Sequence, residues 1–406
     1  MVAVTAVSML LCNTDRTLMS VAIVPIAREL SLDATSVGVL QSSYLWGYGV
    51  AQIPAGLLAD RFGGPRVLLF GLVLWSVATC ALPLARLSTS PLAALLVARA
   101  IFGFGSAVAL PATSATVSAL VPVTRRASSL GIIYSIFNSG SIVGLSTTPA
   151  FIGAYGWPAV FWVYGVIGIL WAGVATMLLP AAARVSPSSA SPSGIPAQAM
   201  VLRPEGWKQV AALFWVHCVI GWGFFLLLNY IPTYLVTQFP ATSGSLSAVG
   251  LASSLPWLVS SLVGLVAGGV ADALLARGMP MLRVRTLMHA IATMGPALAI
   301  SILPLVPSQT MAVALLCLVT GCQAFNYAAF HAMVATVAGN RSGFILALTN
   351  TGGIVMGIVA NLSAGFLLAR FGSFGALFGI TAALYVSSFA VWAAVIRGDQ
   401  LYVSIH

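Results

Sequence analysis

The chain has 406 residues, 60% of them hydrophobic and 6% charged, with a formal net charge of +10 and one lysine, Lys208. That composition excludes a soluble globular protein, whose surface needs abundant Lys and Glu, and a mean hydropathy of +1.03 requires solvation by lipid. The seventeen Lys and Arg residues stand singly between apolar runs and form no basic stripe, which excludes a nucleic-acid partner.

Twelve apolar segments follow in chain order, at about 2–27, 36–58, 66–86, 91–120, 128–153, 157–180, 209–237, 246–270, 284–306, 309–336, 343–368 and 372–396. With the N-terminus inside, the inner loops and C-terminus hold Arg61, Arg66, Arg125, Arg126, Arg184, Arg203, Lys208, Arg277, Arg283, Arg285, Arg341 and Arg397. The outer loops hold only Arg28, Arg86 and Arg370, a clear positive-inside bias that places both termini on the inner side.

Two basic residues belong to no loop. Arg16 lies twelve residues before Arg28, and Arg99 lies well inside the run that begins near Pro91. At about 1.5 Å of rise per residue, each falls near the middle of a bilayer. A cation there costs about 2.5–3.5 kcal/mol, so such residues face a protein cavity and mark a substrate path. The expected site is an anion site within the membrane. The five cysteines (Cys12, Cys80, Cys218, Cys317, Cys322) lack metal-ligand spacing and read as small core residues.

The Pro/Ser-rich stretch from Ala181 to Pro204 divides the spans six and six and reads as a linker. The halves repeat each other at a constant offset: Val37-Gly38 with Val249-Gly250, Ser42 with Ser254, Gly56 with Gly268, and Ala59-Asp60 with Ala271-Asp272. Asn138, Gly140 and Ile142-Val143 likewise match Asn350, Gly352 and Ile354-Val355. Two parallel six-helix repeats with a binding site at the midplane resemble the major facilitator transporters. The expected fold is an all-α membrane protein of twelve transmembrane helices in two pseudo-symmetric six-helix bundles. Its expected domains are 1–180, a linker at 181–208, and 209–406.

GLLADRFGGPR at residues 56–66 resembles the facilitator signature loop between helices 2 and 3. Gly63 and Gly64 supply a tight turn, Asp60 can cap a facing helix N-terminus, and Arg61 and Arg66 sit at the inner surface. Asp60, Arg61, Arg66, Arg126 and the repeat-related Asp272 are the candidate gating residues, with ordinary topology anchoring as the alternative.

CNTDRTLMSVAIVP (12–25), QSSYLWGYGVAQIPAG (41–56), RAIFGFGSAVALPA (99–112), FFLLLNYIPTYL (224–235), LPWLVSSLVGLVAGGVADALLARG (255–278) and LTNTGGIVMGI (348–358) are similar, in order and position, to the anion/cation symporters that include the vesicular glutamate, sialic acid and sodium/phosphate carriers. Gln41, VPVTRRASSLGIIYS (121–135), GWPAVF (156–161) and RTLMHAIATMGPA (285–297) resemble the plant and algal plastid phosphate or anion transporter branch.

The resemblance carries Arg16 and Arg99 onto the helix 1 and helix 4 arginines that bind the anionic substrate. The chemistry agrees, since a guanidinium presents a permanently charged planar fork that matches phosphate or carboxylate bidentately. Trp46, Tyr48 and Gln52 recur where the family lines its cavity, although Trp46 and Tyr48 equally fit packing or interface aromatics. Gln41 replaces the histidine of the vesicular glutamate carriers. Tyr134 and Asn350 complete the candidate substrate contacts.

The sequence also departs from the family. The usual helix 4 glutamate is Ser106, the helix 1 Asn is Leu18, and the helix 10 Asn and Asp are Met333 and Thr336. Asp15 is then the one acid well inside a predicted span, and therefore the candidate coupling residue for a sodium ion or proton. Uncoupled uniport and anion exchange remain the alternatives. His217, His289 and His331 have no partners at metal-ligand spacing and read as packing or interface groups, with His331 able to titrate if it lines the cavity.

The expected protein is a monomeric carrier of an inorganic or small organic anion by alternating access, phosphate first, with no cofactor, no metal and no enzymatic activity. The alternatives are a transport-inactive sensor on a carrier scaffold and an uncoupled organic-anion carrier or exchanger. The resemblance implies a plastid membrane. Met1 leads almost directly into the first span without an Arg/Ser-rich transit segment, which leaves another membrane or a trimmed N-terminus open.

Overall fold

A computed structural model describes residues 2–121, 123–178, 200–202, 206–240, 246–338, 342–399 and 401–404. The chain is helical nearly throughout: α1 Val2–Glu29, α2 Ala34–Phe62, α3 Gly64–Ala81, α4 Pro91–Ser106, α5 Ala109–Leu120, α6 Val123–Tyr155 and α7 Trp157–Leu178 make the first series. The second is α8 Gly206–Gln238, α9 Leu246–Ala276, α10 Met281–Ile302, α11 Gln309–Ala324, α12 Ala332–Ala338, α13 Ser342–Phe371 and α14 Gly375–Val395. Ten segments among the described residues are long and apolar enough to cross a membrane. The 29-residue α2 and 33-residue α6 also have the length, since 29 residues rise about 43 Å. Large apolar side chains cover the exposed helix faces, among them Val50, Leu57, Leu170, Met177, Leu265 and Val266. The protein is an integral multi-pass membrane protein.

Local sequence sets the helix ends. Asp33 caps α2, its side chain accepting from the Ser36 N–H at 2.9 Å. Gly63 ends that helix at φ 86°, where its N–H still donates to the Ala59 carbonyl at 3.0 Å, and Pro65 opens α3 with its φ already helical. The third helix of each half ends in a 3₁₀ turn built on Leu-Pro-Leu: Leu82–Leu87 after α3 and Leu303–Leu305 after α10. This correspondence is out of register with the constant-offset repeat and adds to it.

Two expected spans are broken. The span at 91–120 divides at Ala107–Val108 into α4 and α5, because Pro111 lacks the N–H that would bond the Ala107 carbonyl and its ring crowds that oxygen. The span at 309–336 passes from α11 through a π turn at Tyr327–His331 into α12, and Arg285 Nη1 donates to the Ala328 carbonyl inside that turn at 2.7 Å. One strand pair stands outside the all-helical expectation: Met200–Leu202 runs antiparallel to Tyr402–Ser404. Most of the predicted linker, residues 181–199 and 203–205, lies outside the described residues.

By contact the chain forms two compact units, one from 1–194 with Leu228–Ser254 and the other from 195–227 with 255–406. Within the first, α1 packs on α6, α2 on α4 and α3 on α7. Leu18, Met19, Ile23, Leu40, Trp157 and Phe161 anchor its core. Within the second, α10 packs on α14 and α11, and Leu213, Val216, Phe330, Met333 and Trp392 anchor the core. The repeat-related glycines play the same part in each half. Gly140 lies against α1 at Leu10, Asn13 and Thr14, and Gly352 lies against α8 at Phe214 and Cys218.

Candidate functional site

The α2–α4 crossing fixes the site. Gly47 and Gly103 lie where the two helices touch: a Cβ on Gly47 would stand 2.8 Å from the Ala100 carbonyl carbon, and one on Gly103 would stand 2.8 Å from that of Tyr44. Backbone-to-backbone contact at that range needs glycine on both sides. One turn before Gly103, Arg99 is therefore pressed toward α2. It is 1% exposed, and its guanidinium carbon lies 4.9 Å from the Tyr44 ring centroid and 5.1 Å from that of Phe102.

Arg16 reaches the same ring from α1. Its guanidinium carbon lies 5.9 Å from the Tyr44 ring, 5.4 Å from Tyr48 and 5.7 Å from Phe137. Polar contacts from α1 to α6 hold that face in place. Asn13 Nδ2 donates to the Phe137 carbonyl and to Ser141 Oγ, both at 2.8 Å, and Thr14 Oγ1 donates to the Gly140 carbonyl at 3.2 Å. Both arginines thus lie in the membrane interior with their guanidinium carbons against aromatic rings.

The aromatic rings meet the flat faces of the guanidiniums and leave part of their edges without hydrogen bonds. Arg99 Nε and Nη2, which form the side-on edge of the fork, have no hydrogen-bond partner, nor has Arg16 Nε. A buried charged donor left unpaired costs several kcal/mol in order of magnitude. Chemically, such an edge can take an acceptor that brings two oxygens, as a carboxylate or phosphate does bidentately.

Asp15 stands on the adjacent face of α1. It is 2% exposed and within electrostatic reach of Arg99. Neither carboxylate oxygen has a hydrogen-bond partner. The one ion pair among the described residues is at a loop end, where Arg86 Nε and Nη2 grip Glu29 at 2.6 and 2.5 Å and Trp157 Nε1 donates to the same carboxylate at 2.8 Å. Asp15 therefore neutralises neither arginine by direct contact.

The other predicted contacts separate clearly. Tyr48 is buried beside Arg16. Tyr134 on α6 is half-buried and shares a hydrogen bond with Ser114 at 3.4 Å. Gln52 is half-buried, with its Oε1 shielded and unpaired. Gln41 is fully buried and donates to the Asn229 carbonyl at 3.1 Å, so its amide N–H is spent on α8 while its Oε1 stays unpaired. Asn350 is half-buried on α13, in the second compact unit.

Trp46 is placed elsewhere. It is 36% exposed and shares a helix face with Val50 at 73% and Leu57 at 67%, positions that fall within about 40° of one another around the helix axis. This is the apolar outer face of α2, and Trp46 does not join the arginines. The residue missed from the sequence is Tyr44, fully buried against both guanidiniums. Its spacing held the signal: Tyr44, Gly47, Tyr48 and Ala51 form one helical stripe, and Gly47 marks that stripe as the packed one.

Among the gating candidates, Arg61 and Arg66 are exposed beside the Gly63 turn, with Arg61 over the Phe62 ring at 5.4 Å, and Asp272 is exposed. The side chains of Asp60 and Arg126 lie outside the described residues. Ser106, at the position of the family's glutamate, is buried and donates to the Gly103 carbonyl at 3.1 Å. His217 pairs with Thr349 at 2.9 Å, and His289 stacks on Trp392 at 4.3 Å. Among the described residues, no three His, Cys, Asp or Glu side chains gather where they could hold a metal.

Comparison with known proteins supplies the family. Residues 5–360 match the Major Facilitator Superfamily model. The probable anion transporter 4 of the rice chloroplast is 34% identical, the alignment covering 97% of this chain and 68% of that protein. The chloroplast sodium-dependent phosphate transport protein 1 of Arabidopsis thaliana is 36% identical over 86% of this chain and 70% of its own length, and the Arabidopsis chloroplast ascorbate transporter is 34% identical over 97% and 74%. The fold is that of a D-xylose-proton symporter, with a TM-score of 0.77 at 14% identity over 98% of this chain and 99% of that one. A bacterial homologue of the lysosomal transporter Spinster gives a TM-score of 0.73 at 17% identity over 98% and 97%. The chain belongs to the Major Facilitator Superfamily, a family of membrane transporters and not of enzymes.

Proposed function

We propose that the protein is a carrier that moves a small oxyanion across a membrane by alternating access, with inorganic phosphate as its first substrate. The observation that carries this reading is the buried, unpaired Nε/Nη2 edge of Arg99, joined by the unpaired Nε of Arg16. Arg16 and Arg99 bind the anion, with Tyr48, Tyr134, Gln52, Gln41 and Asn350 as further contacts. Relatives of about one-third identity that bear the names of anion, phosphate and ascorbate transporters support the substrate class. The aromatic rings around the guanidiniums also suit a planar organic anion, which is the second reading.

Asp15 is the coupling group. It is a buried carboxylate without a hydrogen-bond partner in the membrane interior, able to take up and release a proton or sodium ion. The two six-helix halves, 1–180 and 209–406, act as the moving bodies of a monomeric carrier, with Asp60, Arg61, Arg66, Arg126 and Asp272 gating one side. The N- and C-termini face the inner side, and the membrane is that of a plastid, by analogy with the chloroplast relatives.

Uptake into proteoliposomes tests the reading. Labelled phosphate, then ascorbate and small carboxylates as competitors, would be offered with imposed sodium and pH gradients. Saturable anion uptake supports the carrier. Binding without saturable uptake of any of these anions would instead make the protein a sensor on a carrier scaffold.

A further inference from the structure

Among the described residues, Tyr44 is the one side chain whose ring lies against both candidate anion-binding arginines. Its ring centroid lies 4.9 Å from the Arg99 guanidinium carbon and 5.9 Å from that of Arg16, and the residue is fully buried. Its main chain is also held, because Gly103 on α4 brings that helix against the Tyr44 carbonyl, and Gly47, three residues on, brings α2 against Ala100. Ring and arginine are thus positioned by the same helix crossing.

Two guanidiniums in a site shielded from water repel each other, and the nearest carboxylate, Asp15, does not pair with either. An aromatic face attracts a cation through its quadrupole, more strongly when both are desolvated. A face contact also uses the guanidinium plane and leaves the N–H edges free. A carboxylate partner would do the reverse, neutralising the charge and occupying the fork. A shared ring therefore holds both cations together without competing with the anion.

We propose that Tyr44 is a positioning residue for the anion site: its ring holds the Arg99 fork, together with Arg16, edge-on to the substrate and so sets the preference for anions that present two oxygens. The inference rests on the anion-carrier reading above. It assigns to Tyr44 both substrate affinity and discrimination against spherical anions, through the ring and not the hydroxyl.

The test is phosphate uptake by the full-length protein in proteoliposomes, with iodide as a competing monatomic anion. Tyr44→Leu, which keeps apolar bulk but removes the π face, should raise KM for phosphate about tenfold with Vmax within about twofold, and should narrow the preference for phosphate over iodide by a similar factor. Tyr44→Phe should restore both to within about twofold of the wild type. If Tyr44→Leu does not give a monodisperse protein, Tyr44→Met carries the same comparison. Unchanged KM and anion preference in the Leu or Met variant would overturn the proposal. So would Tyr44→Phe losing them as fully as Leu, since the hydroxyl would then be the working part. Wild-type protein that takes up no anion would defeat the carrier reading itself, which separates the two failures.

Discussion

Asp15 and Arg99 are electrostatic neighbours in the membrane interior, yet they form no ion pair. The arginine spends its flat face on Tyr44 and Phe102, and the carboxylate stands free with both oxygens unpaired. Each group keeps its bonding capacity for something the protein does not itself supply. That separation accords with the proposed anion site and with Asp15 as its proposed coupling acid.

If Asp15 couples transport to a gradient, Asp15→Asn should retain anion exchange while losing accumulation driven by a sodium or proton gradient. Counterflow and net uptake in the same vesicles distinguish the two. Gradient-driven accumulation as large as the wild type's would remove Asp15 from that role.

The outer face of α2 gives a negative control. Trp46→Leu should leave KM for phosphate within about twofold, because Trp46 shares its stripe with Val50 and Leu57 and not with the arginines. A KM increase of tenfold in protein that is otherwise well folded would return Trp46 to the site.

Packing at the α2–α4 crossing should be intolerant of a single methyl group. Gly103→Ala forces a Cβ onto the Tyr44 backbone, an overpacking that costs about 1–3 kcal/mol, so the variant should melt at a lower temperature than the wild type in detergent. Gly268→Ala, whose added Cβ meets nothing within 4 Å, should melt like the wild type. Equal Tm values for the two variants would mean that the helices can separate at Gly103 without penalty.

The ion pair at the loop end should be modest. Arg86 and Glu29 are bidentate but 42% and 37% exposed, so a double-mutant cycle with Arg86→Gln and Glu29→Gln should give a coupling of about 0.2–1 kcal/mol. A coupling of several kcal/mol would show that Trp157, which covers the pair with both a hydrogen bond and its ring face, excludes water more fully than that exposure implies.

What could be read from the sequence followed from local chemistry. Arg16 and Arg99 announced themselves because a charge far inside an apolar run has few uses, and the spans followed from length and hydropathy. The breaks were less visible. Pro111 offered a signal for the division of the fourth span, which was expected unbroken at 91–120, but the π turn at Tyr327–His331 contains neither Pro nor Gly, and the contact that accompanies it comes from Arg285 on another helix. Side-chain roles within QSSYLWGY depended on which face of α2 meets α4. Composition makes Tyr44, Trp46 and Tyr48 alike. Only the packing partner of Gly47 separates the two tyrosines that line the arginines from the tryptophan that faces outward. The Met200–Leu202 strand pairs with a segment some two hundred residues away and has no local signature.

The central claim is that the unpaired fork of Arg99 binds the transported anion. Initial rates of labelled phosphate uptake, wild type against Arg99→Lys, test it most directly in proteoliposomes containing equal amounts of folded protein. The lysine keeps a positive charge but loses the two-point edge, a charge-assisted hydrogen bond being worth about 1.5–3 kcal/mol, so uptake efficiency should fall by about ten- to a hundredfold. Uptake within a factor of about two of the wild type would contradict the account.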